Sequence, residues 1–392
     1  LRTAGYYTGD ARLKALRNPA KRVVEFYVDT IWPGDLSSAL PIASENPRLE
    51  EAIQQLWVWS NWAQKKQVAV RWGGIMGDCY LKVAQPGQNK RVYIDLVDPV
   101  LVTDRSVDER GYVIYCRIDV PVEERIGDKT KNRTYTEVWD RERVRTWTHD
   151  KDRYQEVEKL GEPDQEIPLS VWGIDFVPIV HIKHVDIGDK YGVGAFQLSL
   201  DKIREVDTLA TALHRILFRH NSPVWALEAN AVDASGRPAS VPKFMDDAGG
   251  TVELSGETLV KLPGMSKLVP LVPNLDYQSH LAVVAGQVDE LTEDLPELNY
   301  YRLRDLPEMS GRALRLMLAP AVNKAAEVRG NYEDGLIRAH KMALTIGKAL
   351  GVWEKDPGNY EAGDFDHVFL ERPIIPLTRS ELADIAKTEV DT

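Results

Sequence analysis

The strongest constraint on the fold is one helical pattern that runs from Ser310 nearly to Leu350 and carries Pro320 ten residues in. Proline lacks a backbone N–H and its ring crowds the preceding turn, so this helix is expected to kink there by more than about 20°. Ser310 is a candidate cap, because its hydroxyl can accept from an early backbone N–H. Gly311 permits close packing beside it. Ala313, Leu314, Met317 and Leu318 are expected to bury, leaving Arg312 and Arg315 to face acidic neighbours or DNA.

Elsewhere the pattern changes along the chain. In "NPAKRVVEFYVDTIW", Asn18 is a candidate cap, Pro19 a first helical residue, and Val23, Phe26, Tyr27 and Ile31 recur at helical spacing. A second amphipathic segment runs from about Pro47 to Trp72, and the nearby Trp57, Trp59 and Trp62 read as core packing. From Gly73 to about Val185 short strands alternate with turn residues. Within that region "VEERIGDKTKNRT" reads as an exposed hairpin loop, and its Asn132-Arg133-Thr134 triplet as a chance glycosylation match. Helical periodicity returns after Gly194, with Phe196, Leu200, Ile203, Ala210, Leu213 and Leu217 in a stripe. A Pro/Gly-rich interval with short strands follows to Asn274, then a helix over about Leu275–Leu295, then the loop "PELNYYRLRDLPEM". The fold class is α+β, and the 392 residues require more than one structural unit.

Composition removes several functions. The formal net charge is −11, opposite to what a protein coating nucleic acid needs, although not to one that must let a polyanion pass without holding it. Cys79 and Cys116 both lie in strand-like segments and read as two buried thiols, with no disulfide framework and a reducing compartment expected. The apolar runs fall short of the roughly 18–20 residues of a membrane span, so no membrane partner is expected. No signal peptide opens the sequence, and both ends look like cuts within a longer chain.

Catalytic signals are equally sparse. No Gly-rich turn ends in Gly-Lys-Ser/Thr, which weighs against an ATP-driven motor. Gly192 and Gly194 open a helix, but Gln197 occupies the place of the third glycine of a dinucleotide fingerprint. His181 and His184 lie three apart on a strand and point to opposite faces, so they do not converge on one metal ion. No Gly-x-Ser-x-Gly turn is present, and no carboxylate pair stands out as acid and base. Neither an enzyme, a metal nor a cofactor is expected.

Charge distribution is the positive signal. From Leu275 to Tyr301 there are six acidic residues and no Lys or Arg. Five of them, Asp289, Glu290, Glu293, Asp294 and Glu297, gather at the helix C-terminus, where the macrodipole favours cations. A solvated face explains such a run, and so does a repulsive wall turned toward something negative. Asn299, Tyr300, Tyr301, Arg302 and Arg304 follow in the loop, a combination able to touch a sugar–phosphate backbone or a base face.

The order of these features resembles the portal (head-to-tail connector) proteins of tailed bacteriophages. The resemblance is carried by "NPAKRVVEFYVDTIW", "GIMGDCYLKV" with "IDLVDPVLV", "WGIDFVPIVHI", "YGVGAFQLSLDKIREVDTLATAL" and "EMSGRALRLMLAPAV", and it spans nearly the whole chain. It implies a portal-type fold: a mixed α/β wing over 1–193, a first stem helix over 194–221, and a small α/β clip over 222–274. A second stem helix over 275–295, a tunnel loop over 296–309, a long kinked wing helix over 310–351, and a C-terminal wing segment or start of a crown over 352–392 complete it. The implied function is a ring of about twelve copies, a channel at one capsid vertex for packaging and ejecting double-stranded DNA. Implied partners are the DNA, the large terminase, head-tail adaptor proteins and the major capsid protein, with assembly in the host cytoplasm and residence in the virion. Asp289, Glu290, Glu293 and Asp294 become the acidic channel lining, Asn299 to Arg304 the tunnel loop, and Ser310, Gly311 and Pro320 the cap and kink. The competing readings are a minor capsid or scaffold-like assembly protein without a channel, and a nucleic-acid hydrolase with an unrecognised motif.

Overall fold

The structure, a computed structural model, describes residues 18–32, 42–84, 91–126, 129–150, 154–221, 225–229, 266–270, 277–303 and 311–374. In chain order the elements are α1 (Pro19–Ile31), β1 (Ile42–Ala43), α2 (Pro47–Ser60), α3 (Trp62–Met76), β2 (Asp78–Ala84), β3 (Tyr93–Val97), β4 (Val102–Val107) and β5 (Val113–Ile126). They continue as β6 (Lys129–Trp139), β7 (Arg143–His149), β8 (Gln165–Pro168), β9 (Ile179–Lys183), α4 (Leu200–Asn221), β10 (Trp225–Ala229) and β11 (Ser266–Pro270). The last are α5 (Tyr277–Asp294), α6 (Glu297–Leu303), α7 (Gly311–Ala349) and β12 (Val368–Phe369). The fold is mixed helix and sheet, α+β.

Two compact units divide the chain, and the larger holds the described parts of 18–201 and 291–374. Its core forms around a three-stranded sheet of order β3-β2-β9. Against it lie α3 and α7, with α1 packed on α3. Asn18 caps α1 by accepting from the Lys21 N–H at 3.1 Å, and Pro19 supplies the preset first turn. Val23, Phe26, Tyr27 and Ile31 are buried as their spacing requires. Each apolar side chain of that size contributes about 1.5–3 kcal/mol on burial.

The helix expected over Pro47–Trp72 is two helices. Asn61 adopts φ +53°, a left-handed conformation that Asn tolerates, and this ends α2 and starts α3. Trp62 is buried against Trp32, and Trp59 stacks on Trp353 at 5.3 Å. Gly77 then turns the chain into β2 at φ +90°, where a Cβ would lie 2.2 Å from the Gly192 carbonyl oxygen.

A five-stranded antiparallel meander, β4-β5-β6-β7-β8, follows. The charged segment expected as a loop is instead strand: pairing continues from Cys116↔Trp139 to Ile126↔Lys129. Both thiols are buried, and the burial pushes the Cys116 group up to about 12. Asp119 is fully buried, and Thr103, Thr136 and Arg117 all donate to it, so its charge is satisfied locally.

Helix α7 runs unbroken through Pro320. Leu318, Ala321, Ala325, Val328, Tyr332, Leu336 and Ala339 form its buried stripe, three or four residues apart. Pro320 itself is exposed, as is Leu316, whose carbonyl loses its usual donor, so the orphaned acceptor lies on the solvent side. Met317, expected to bury, is 48% exposed, because Leu318 takes the inward position. At Gly335 a Cβ would come within 2.4 Å of the Ile182 side chain, so glycine lets α7 cross β9 closely.

The smaller unit holds the described parts of 202–290. Ile203, Val206, Ala210 and Val284 are buried there, and β10 pairs antiparallel with β11 from Trp225↔Pro270 to Ala229↔Ser266. Lys202, near the start of α4, donates to Glu290, near the end of α5, at 3.0 Å. Leu217, Leu281 and Val283 are 41%, 48% and 55% exposed, so part of the apolar pattern of these helices lies on the surface. Arg304, Ser310, most of 222–274, and 375–392 lie outside the described residues.

Candidate functional site

The acidic run sits where expected on α5 but divides into three different environments. Glu290 is tied to Lys202. Asp289, Glu293 and Asp294 are exposed in the last turn and a half, with no basic residue of the helix among them. The helix end is offset from elsewhere: Lys324 of α7 donates to the Asp294 carbonyl at 3.1 Å, putting a cation at the negative end of the dipole.

Glu297 departs entirely from the run. It is 0% exposed and accepts a 2.6 Å hydrogen bond from the Tyr27 hydroxyl, with Lys324 Nζ 3.8 Å away. Burial is the main reason the Tyr27 hydroxyl is held far above its ordinary value, and the neighbouring Glu297 charge adds to it. Lys324 therefore joins the end of α5 to the start of α6. Sequence reasoning grouped Glu297 with the exposed acids. The signal that separates it is its place directly after Leu295-Pro296, in the first turn of a new helix, where a carboxylate meets the positive end of the dipole.

The segment expected as an open loop is helical over Glu297–Leu303, and this corrects the reading of its aromatics. Tyr300 packs edge-on to Phe26 of α1 at 5.6 Å, and Tyr301 edge-on to Tyr300 at 5.4 Å. Burial lifts the Tyr301 hydroxyl to about 12. Asn299 is half-buried and Arg302 exposed. The rings thus anchor α6 to α1, and Arg302 is the described residue of the group left on the surface. Gly311 opens α7.

His181 and His184, expected not to converge on a metal ion, hold separate structural posts. His181 Nε2 bonds Asp78 at 2.6 Å, and Asp78 also accepts from the Gly192 N–H at 2.9 Å. His184 is fully buried, 3.1 Å from the Tyr332 hydroxyl and edge-on to Tyr27, and its burial lowers it to about 3. Among the described residues no group of three His, Cys, Asp or Glu could hold a metal ion.

No family model matches the chain, and no curated protein matches it. Among solved structures it is similar to a chain of the neck of a native gene transfer agent particle computed with C12 symmetry, at 12% identity and TM-score 0.44, covering 83% of this chain and 77% of that one. A chain of the native gene transfer agent virion is similar at 12% identity and TM-score 0.45, over 83% and 78%. A chain of the neck of an empty particle computed with C6 symmetry is similar at 14% identity and TM-score 0.42, over 81% and 79%.

Proposed function

We propose that the chain is a non-enzymatic virion protein of the portal type, one subunit of a ring whose channel passes double-stranded DNA during packaging and ejection. The observation that carries this reading is the out-and-back pair α4 and α5. The Lys202–Glu290 bond joins their shared end, and β10 and β11 pair beyond the other. Apolar side chains on these helices stay exposed in the single chain. Closed rings are built from such faces, each copy covering the next. The carboxylates at the end of α5 suit a channel that must not grip its cargo. A fixed cation bound to each phosphate raises the barrier to movement, whereas a ring of acidic patches repels the duplex within a Debye length of roughly 8 Å.

Terminase and adaptors dock, on this reading, at the 222–274 insert, and the major capsid protein surrounds the larger unit. The test is the double reversal Glu293→Lys with Asp294→Lys. Glu290 is left out because its reversal would set it against Lys202. The variant is expected to assemble as the wild type does but to package DNA poorly, measured as protected genome per particle. Undiminished packaging in assembled particles would contradict the repulsive lining.

A further inference from the structure

A cleft of about 510 Å3 opens in the larger unit between β4, β9 with its following loop, and α7. Its most deeply buried cation is Arg105, 1% exposed. Arg105 Nε donates to the Tyr80 hydroxyl at 3.0 Å, and the guanidinium lies over the Tyr191 ring at 4.9 Å. Both partners are neutral. No carboxylate among the described residues pairs with Arg105, and its Nη2 is buried without a hydrogen-bond partner. A guanidinium removed from water costs several kcal/mol unless an anion or a full set of acceptors offsets it. The other buried arginine of the neighbouring meander, Arg117, meets Asp119 at 2.9 Å, which makes the unpaired state of Arg105 a particular property of this cleft.

The rest of the lining carries four further cations together with three carboxylates. Arg110 is exposed at the rim, and Lys183, Lys190 and Arg338 also contribute. Three of these cations are partly satisfied: Lys183 by Asp186 at 2.8 Å, Lys190 by Asp104 at 3.3 Å, and Arg338 by Asp334 at 2.5 Å. Asp189 lines the cleft too, so five cations stand against the three carboxylates of Asp186, Asp189 and Asp334, and the lining keeps an excess of positive charge. Lys183 also donates to the Asp189 carbonyl at 2.6 Å, and Gly188 turns at φ +85°, so the loop that delivers Lys190 is held in place. His181 is occupied by Asp78 and serves as wall.

We propose that this cleft binds an oxyanion of the phosphate type, with Arg105 as the buried donor and Arg110 and Lys190 closing on it from the rim. Guanidinium suits the task because its planar fork can give two parallel hydrogen bonds to one phosphate group. The phosphate can be free or belong to a nucleic-acid backbone, and the experiment separates the two sources.

Thermal unfolding of the full chain is followed while inorganic phosphate replaces chloride at constant ionic strength. Binding to the folded state raises the midpoint saturably. Arg105→Met is expected to abolish the rise, and Arg110→Ala, a surface change, to weaken the apparent Kd about tenfold, as loss of one charge-assisted bond implies. Arg141→Ala, outside the cleft, is expected to respond as the wild type does. Should Arg105→Met fail to fold, the Arg110→Ala comparison decides. Addition of a short DNA duplex that displaces phosphate assigns the site to a backbone phosphate; failure to displace it assigns the site to the free anion. A wild type indifferent to phosphate, or an Arg110→Ala variant with an undiminished response, overturns the proposal.

Discussion

Trp57, His340 and His367 form a hydrogen-bonded chain whose protons can be placed by elimination. The indole Nε1–H of Trp57 only donates, so His340 Nε2 must accept at 2.8 Å. The neutral ring then carries its proton on Nδ1 and donates to His367 Nε2 at 3.0 Å, leaving His367 Nδ1–H to donate to the Phe365 carbonyl at 2.9 Å. Every site is used, and a further proton on either ring breaks one bond. Burial depresses both histidines, and each also meets positive charge or its partner ring. Because their folded values lie below the unfolded value near 6.5, both are neutral in either state above that pH. As pH falls below it, the unfolded chain takes up protons that the folded chain refuses, and stability drops. Urea unfolding is therefore expected to weaken from pH 6.5 to 5, and His340→Leu to flatten that dependence by about 1.4 kcal/mol per pH unit. An unchanged slope would mean that the ring is charged in the fold. Nothing in the sequence around His340 or His367 marked this chain, because its members are 27 and 283 residues apart in sequence.

At the scale of elements, α6 is the one on which the site reading depends. Glu, Leu and Arg favour a helix there, but at seven residues it is too short to hold itself without tertiary support, so the sequence reads as a loop. Tertiary anchoring supplies that support through Phe26, Tyr27 and Lys324. Tyr27→Phe removes the hydroxyl that donates to Oε1 of the buried Glu297 carboxylate, whose Oε2 has no hydrogen-bond partner, and is expected to cost about 1–3 kcal/mol. Amide exchange over 297–303 should accelerate more than over α2. A loss below about 0.5 kcal/mol would contradict the anchor, since it falls within the range of ordinary surface changes. Other elements were legible to different degrees for equally physical reasons. The cap and apolar stripe of α1 are local, and they appear as read. The break at Asn61 turns on one backbone torsion that the helical stripe does not encode. The charged stretch in β5 and β6 looked like a loop because it lacks apolar alternation, yet its backbone stays paired through Val122↔Arg133 and Glu123↔Asn132. Pro320 was visible at once, but its exposed setting, which lets the helix continue, depends on which face α7 buries.

For the whole molecule, the chain divides into two compact units. The larger unit holds most of the buried apolar residues but also leaves some exposed, such as Val58 and Leu198, while the helices of the smaller unit expose Leu217, Leu281 and Val283 and lead into the carboxylates of α5. A net charge of −11 and an acidic helix end are consistent with a body that repels DNA, and they leave the cationic cleft beside Arg105 as an exception that calls for its own ligand. The sequence resemblance to portal proteins and the out-and-back helices lead to one claim, that copies of this chain close into a channel. Imaging of the purified full chain by electron microscopy tests it most directly. The account predicts closed rings with an open central hole wide enough for a DNA duplex; a stable monomer, particularly one that turns over DNA, would contradict it.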